Sequence, residues 1–102
     1  MKIEDLEVKF LKALSHPVRL KIVKKLKKGT LCVCELDEDL EFSQSNLSQH
    51  LRILRDASVL TKERDGSRIN YSIKDERIIK LLDIVQDIVL KDILDINDKL
   101  GG

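Results

Sequence analysis

The chain is poor in the residues that usually announce a chemistry. Of its 102 residues only two are cysteine, two histidine, four glycine and one proline. Two of the four glycines end the chain, so no Gly-rich loop is left to cradle a phosphate. Two histidines make no His-rich metal box, and no nucleophile, base and orienting group stand together. An enzyme is therefore not expected. No apolar run approaches the roughly 20 residues of a membrane span. The start, Met1-Lys2-Ile3-Glu4-Asp5, lacks the apolar core of a signal peptide. A cytoplasmic protein without a membrane partner is expected. Net charge is almost absent too, since 19 basic and 18 acidic residues leave +1. No overall field draws the chain to nucleic acid.

What is present is a folded composition, with 42% hydrophobic and 36% charged residues. The length suits one domain over residues 1–102, small enough to gain from an interface with a second copy. The charge is segregated. Arg19, Lys21, Lys24, Lys25, Lys27 and Lys28 crowd one segment, and Glu35, Asp37, Glu38, Asp39 and Glu41 another. Such segregation makes either a basic face or two solvated surfaces.

The apolar periodicity outlines the elements. Leu6, Phe10 and Leu14 predict a first helix over Glu4–Leu14. Ser15 or His16 can cap the next helix, and Pro17 suits its first position, where a missing N–H costs nothing. Val18, Ile22, Val23 and Leu26 form its buried stripe, and Gly29 ends it. Thr30 is placed to cap a short third helix over Leu31–Asp39. Leu40, Glu41 and Phe42 turn the chain, and Ser43 caps a fourth helix to Ala57, with Leu47, Leu51 and Leu54 on its inner face. Two short helices joined by a tight turn, residues 31–57, are a helix-turn-helix. A hairpin over 59–73 follows, with Asp65-Gly66 at its turn and Ile69, Tyr71 and Ile73 alternating with polar residues. From Glu76 to Leu100 the helical period returns. Ile78, Leu82, Val85, Val89, Ile93 and Ile96 are widened by Leu81, Ile84 and Ile88 into a face broader than one small domain needs. The fold class expected is mainly α with a small β-hairpin: a winged helix-turn-helix in the order α-α-α-α-β-β-α. The terminal helices, 1–14 and 76–100, are expected to build a homodimer.

The outer side of the fourth helix carries the functional expectation. Ser43, Gln44, Ser45, Asn46, Ser48, Gln49, His50 and Arg52 are hydrogen-bonding side chains with no carboxylate among them. Asn and Gln match adenine edges, Arg matches guanine, and Ser reaches bases or phosphates. The other helices of this chain expose Glu and Lys instead. Double-stranded DNA is thus the expected partner, with the start of this helix in the major groove. His50 is read as supporting its neighbours more than touching DNA. Arg64 and Arg68 flank the hairpin turn, where they reach phosphates or a minor groove, or are ordinary exposed charges. The rival function is a winged helix that pairs with protein and not DNA. The acidic run beside the fourth helix favours that rival.

Three stretches together resemble the ArsR/SmtB family of metal-responsive repressors. They are Ala13-Leu14-Ser15-His16-Pro17-Val18-Arg19-Leu20, then Leu31-Cys32-Val33-Cys34-Glu35-Leu36, then Ser43 to Leu51 with Leu54, Val59 and Leu60. The resemblance implies a homodimer that represses a dyad-symmetric operator and lets go when an inducer binds. The second stretch resembles the metal box of the arsenic-sensing branch, which implies Cys32 and Cys34 as ligands of As(III), Sb(III) or another soft ion. The third cysteine of that box is replaced by Asp37. The last helix has Asp83, Asp87, Asp92 and Asp95 but no His, which argues against the zinc-sensing version.

On a regular helix, residues two apart point about 200° apart. Cys32 and Cys34 can meet one ion only if the start of the third helix is distorted. A two-thiol arsenic or antimony site completed by water, His16 or Asp37, a redox switch, another soft metal, and two merely packed cysteines all remain open. No cofactor is required by any of these.

Overall fold

The computed structural model describes residues 2–39, 42 and 46–101. The first two helices are α1 (Ile3–Leu14) and α2 (Pro17–Leu26). His16 caps α2, its Nδ1 accepting the Val18 N–H at 3.1 Å, with Pro17 at the first helical position. Ser15 does something else: its hydroxyl donates back to the Leu11 carbonyl at 2.9 Å. Gly29 has φ +141°, so a left-handed residue follows α2 as its glycine suggested.

The third predicted helix is shorter and starts later. Leu31–Cys32 form a strand, β1, and only Val33–Asp37 form the helix α3. Thr30 therefore caps nothing; its hydroxyl is hydrogen-bonded to that of Ser72 at 2.7 Å. The cap residue is Cys32, whose backbone N–H is taken by the Glu35 carboxylate at 3.1 Å. The fourth helix is shorter than predicted as well. It is α4, Leu47–Asp56, and its cap is Asn46, whose Oδ1 accepts the Gln49 N–H at 3.4 Å. The expected Ser43 cap, with Leu40, Glu41, Gln44 and Ser45, lies outside the described residues.

Helix α4 ends in a left-handed turn. The Val59 N–H reaches the Leu54 carbonyl at 2.9 Å and the Ser58 N–H reaches Arg55 at 3.0 Å. Ser58 sits between them at φ +65°, where an L side chain crowds the backbone. Ser58→Gly is expected to stabilise the fold by about 0.5–1 kcal/mol, read as a higher midpoint in urea.

The hairpin follows as β2 (Leu60–Asp65) and β3 (Arg68–Ile73). Asp65 pairs with Arg68, so the turn is Gly66-Ser67, one residue later than the Asp65-Gly66 reading. Gly66 at φ +62° takes the first turn position, which explains its presence. β1 pairs with the far side of β3, Leu31 opposite Tyr71 and Cys32 opposite Asn70. The sheet is antiparallel in the order β1-β3-β2. The last element is α5, Arg77–Gly101, whose start is held by Asp75 accepting the Arg77 N–H at 2.9 Å.

Ile22 and Val23 of α2, Leu36 of α3, Leu51 and Leu54 of α4, and Val59 and Leu60 fill the centre. Each faces inward because its helix or strand period leaves no alternative. Removing one such side chain, as in Leu54→Ala, costs about 2–5 kcal/mol in cores of this kind. α5 contributes differently: of its 25 residues only Ile78 is buried. No helix among the described residues is long and apolar enough to cross a membrane.

Candidate nucleic-acid interface and thiol pair

The outer face of α4 is built by the same period that buries Leu47, Leu51 and Leu54. With those three turned in, Ser48, Gln49 and Arg52 must turn out, and all are exposed. Asn46 and Gln49 are joined at the helix start. Beyond the cap bond, Asn46 Nδ2 donates to Gln49 Oε1 at 2.9 Å. The two amides thus form one ordered hydrogen-bonding unit at the end of the helix. Arg52 is loosely held, 3.9 Å from Asp56 with its side chain 81% exposed. So wet an ion pair leaves the guanidinium available for other partners. Gln44, Ser43 and Ser45 precede this unit, outside the described residues.

His50 is on the inner margin of the helix. Its ring lies 4.6 Å from that of His16, and its Nδ1 is 3.4 Å from Arg19 Nη1. Arg19, placed by the sequence in a basic patch, is turned inward. Its Nε donates to the Ala13 carbonyl at 2.7 Å and its Nη2 to Lys12 at 3.3 Å. One guanidinium therefore ties the end of α1 to α2 and α4. His50 thus packs against His16 and Arg19 on the margin of α4.

Burial, then the neighbouring His16, then Arg19 hold the His50 pKa below its ordinary 6.5. The unfolded chain takes up this proton first as pH falls. The stabilising effect is thus complete above about pH 6.5 and declines below it, until folded His50 also protonates. His50→Gln is expected to flatten the fall of Tm between about pH 7.5 and 5.5 relative to the parent chain. Equal slopes in the two proteins would remove His50 as the cause.

The basic segment of α2 is partly neutralised. Lys25 Nζ is 3.0 Å from Asp39, and Lys27 Nζ is 3.4 Å from Asp83 of α5. The acidic run beside α4 is engaged likewise, through Asp39 and through Glu35 at its cap. On the hairpin, Arg64 is exposed on β2 opposite Ile69, and Arg68 is exposed at the turn opposite Asp65.

Cys32 and Cys34 do meet. Their sulfurs are joined in a disulfide, with 5.2 Å between the Cα atoms. The geometric objection disappears because Cys32 is not helical: with ψ near 156° it is extended, and only Cys34 belongs to α3. Strand pairing to Asn70 supplies the distortion that two thiols at this spacing require. Cys32 is buried at 1% exposure, whereas Cys34 is exposed. Among the described residues no set of three or more His, Cys, Asp or Glu surrounds a common point.

The pair opens into a cavity of about 880 Å³ between α3, α4 and the hairpin. Ser48 and Arg52 line it, together with Arg68. So do Arg55 and Lys62, which the sequence reading passed over. The signal for Arg55 was available: it lies three residues after Arg52 and seven after Ser48, on one helical stripe. Lys62 shows only through the pairing of β2 with Tyr71.

A helix-turn-helix followed by a β-hairpin, with an amide- and arginine-bearing outer helix, defines a DNA-binding winged-helix regulator. Residues 16–62 match the model of the bacterial regulatory proteins of the arsR family. The arsenical resistance operon repressor of Bacillus subtilis is 47% identical over 77 residues, covering 74% of this chain and 72% of that one. The transcriptional repressor PagR of Bacillus anthracis is 44% identical over 90 residues, 84% of this chain and 89% of that one. The crystal structure of M. tuberculosis Rv0081 superposes with a TM-score of 0.82 at 32% identity, covering 93% of this chain and 96% of that one. The chain belongs to the ArsR family of bacterial transcriptional regulators.

Proposed function

We propose that this protein is a cytoplasmic homodimeric repressor of a dyad-symmetric operator, released when a thiol-reactive inducer engages Cys32 and Cys34. It acts as a regulator and not as an enzyme. Asn46, Ser48, Gln49 and Arg52 read base edges, with Ser43, Gln44 and Ser45 ahead of them. Arg64 and Arg68 hold phosphates from the hairpin. His50 positions α4 from behind. The two copies join through α1 and α5.

The observation that carries the switch is the shared cavity. Cys32 and Cys34 open α3, and they line the same space as Ser48 and Arg52 of α4. Anything that changes the sulfurs acts beside the DNA-reading helix. Two convergent soft donors suit As(III) or Sb(III), with other soft ions next. The name of the Bacillus subtilis relative, an arsenical resistance operon repressor, agrees with the arsenic reading. The joined sulfurs also favour a second reading, in which oxidation of the pair is itself the signal.

The test is a titration of the reduced protein on duplex DNA from its own promoter region, challenged in parallel with As(III), Zn(II), Cd(II) and a thiol oxidant. Binding is expected to weaken steeply with salt. As(III) is expected to lower affinity about 5- to 150-fold, the usual span of such coupling. Cys34→Ser and Cys32→Ser are expected to bind DNA and to ignore As(III). An unchanged As(III) response in both variants sinks the thiol site. Absence of salt-sensitive duplex binding sinks operator recognition.

A further inference from the structure

We propose that the cavity beside Cys34 is a binding site for small anionic disulfides and thiols, which exchange directly with that cysteine. The inference rests on the thiol-switch reading above and names the class of molecule that reaches it.

Three features of the cavity point the same way. The first is charge. Arg52, Arg55, Lys62 and Arg68 line it against one carboxylate, Asp56. Four cations around one opening concentrate anions there, and arginine forks grip carboxylates in two-point fashion. The second is size. About 880 Å³ lies within the range that holds a molecule of several tens of atoms. The third is the asymmetry of the sulfurs. Cys34 is open to solvent, while Cys32 is 1% exposed behind it. Once the disulfide is reduced, Cys34 is the sulfur presented for attack, with Cys32 held within bonding reach.

The chemistry balances without an unnamed reactant. The Cys34 thiolate attacks one sulfur of an anionic disulfide, RS–SR. A Cys34–SR bond forms, the RS–SR bond breaks, and one RS⁻ leaves. Cys32 then gives up its proton to solvent and attacks the Cys34 sulfur. The Cys32–Cys34 bond forms, and the second RS⁻ leaves. The pair is oxidised by two electrons and RS–SR is reduced to two thiols. The reverse sequence lets the anionic thiol restore the reduced pair. In the intermediate, the carboxylates of R sit among Arg52 and Arg68, groups that the operator also needs. The adduct therefore competes with phosphate for the same cations.

The experiment uses the full chain carrying Cys32→Ser, which stops the reaction at the Cys34 adduct. Adduct formation is followed by mass spectrometry with three probes: oxidised glutathione (anionic), 2-hydroxyethyl disulfide (neutral) and cystamine (cationic). At low salt the anionic probe is expected to react at least about tenfold faster than the cationic one, once each rate is normalised to its reaction with a free thiol. The advantage is expected to shrink towards unity in about 1 M salt. Arg55→Gln with Lys62→Gln is expected to lower the anionic-to-neutral rate ratio by about threefold or more, with an unchanged circular dichroism spectrum to exclude unfolding, which would also carry the ratio towards unity. Equal normalised rates for the three probes, or an unchanged ratio in the double variant, overturn the proposal. Operator affinity of the purified adduct separates the two readings. Anion-selective exchange without loss of operator binding upholds the site and removes the switch. As(III)-driven release without anion selectivity upholds the switch and removes the site.

Discussion

Ile88→Glu is expected to turn a dimer into monomers and to lower operator affinity by about 100-fold or more. Ile88 stands near the middle of α5 and is 60% exposed in the single chain. Ile84 at 57%, Val85 at 47% and Leu81 at 37% adjoin it on the same side. Further along, Leu94 at 61% and Ile96 at 55% extend the apolar surface, and Leu6 and Leu11 of α1 are about half exposed as well. A helix of 25 residues that buries only Ile78 in its own chain has not found its full packing partner. A contiguous apolar surface on that scale marks an interface.

Seating a carboxylate at its centre would bury a charge without a counter-ion, at a cost of several kcal/mol. A monomer then offers the operator one reading helix where a dimer offers two, one for each half-site. Sedimentation velocity reads the assembly and a gel shift reads the DNA. Circular dichroism checks that the helices persist. A variant that remains dimeric, or a monomer that binds the operator as tightly as the parent, removes the terminal helices from the assembly.

The second large effect belongs to the outer face of α4. Gln49→Ala and Arg52→Ala are each expected to cost about 1–3 kcal/mol of discrimination against the wrong base while leaving the dimer intact. The two losses should differ in character. Gln49 is joined to Asn46 by the 2.9 Å side-chain hydrogen bond, so its removal also releases the Asn46 amide nitrogen, while the backbone cap bond to Asn46 stays. Arg52 is tethered only weakly to Asp56, so its removal takes away a single contact. By comparison Arg68→Ala, at the hairpin turn, should weaken all duplexes alike and reduce the salt slope by about one. Competition between operator and scrambled DNA separates these outcomes. Unaltered sequence preference in both α4 variants moves the reading surface elsewhere.

Both predictions began as patterns in the chain, and the structure altered their terms. The outward set on α4 follows from the spacing of Leu47, Leu51 and Leu54, a local property of any helix. Where the helix starts did not follow from spacing. Ser43 and Asn46 are both good caps. Asn46 holds the position through its bonds to Gln49. Arg19 shows the same limit. Read along the chain it belongs to a run of cations. In the fold it binds the Ala13 and Lys12 carbonyls and faces His50, because the end of α1 and the inner margin of α4 close over it.

The cysteines are the sharpest case. As neighbours on a helix they point apart, and the meeting of their sulfurs needed a distortion that no local preference supplies. The distortion is β1, two residues long, too short for any periodicity to register. It exists because Leu31 and Cys32 find Tyr71 and Asn70 about 40 positions away.

By itself the sequence determined the helix faces, the left-handed glycine at 29, the hairpin, the broad stripe of α5 and the presence of a close thiol pair. These depend on residue type and on periods of 3.6 and 2, which are properties of short stretches. Only the tertiary structure decided that β1 pairs with β3 and that Asn46 caps α4. It also decided that Arg19 turns inward and that Arg55 and Lys62 join Arg52 and Arg68 around Cys34. The Asn46 cap is a contact only three residues long, chosen by where α4 starts in the fold; the others rest on contacts between residues far apart in the chain, which form once the core has placed the elements beside one another.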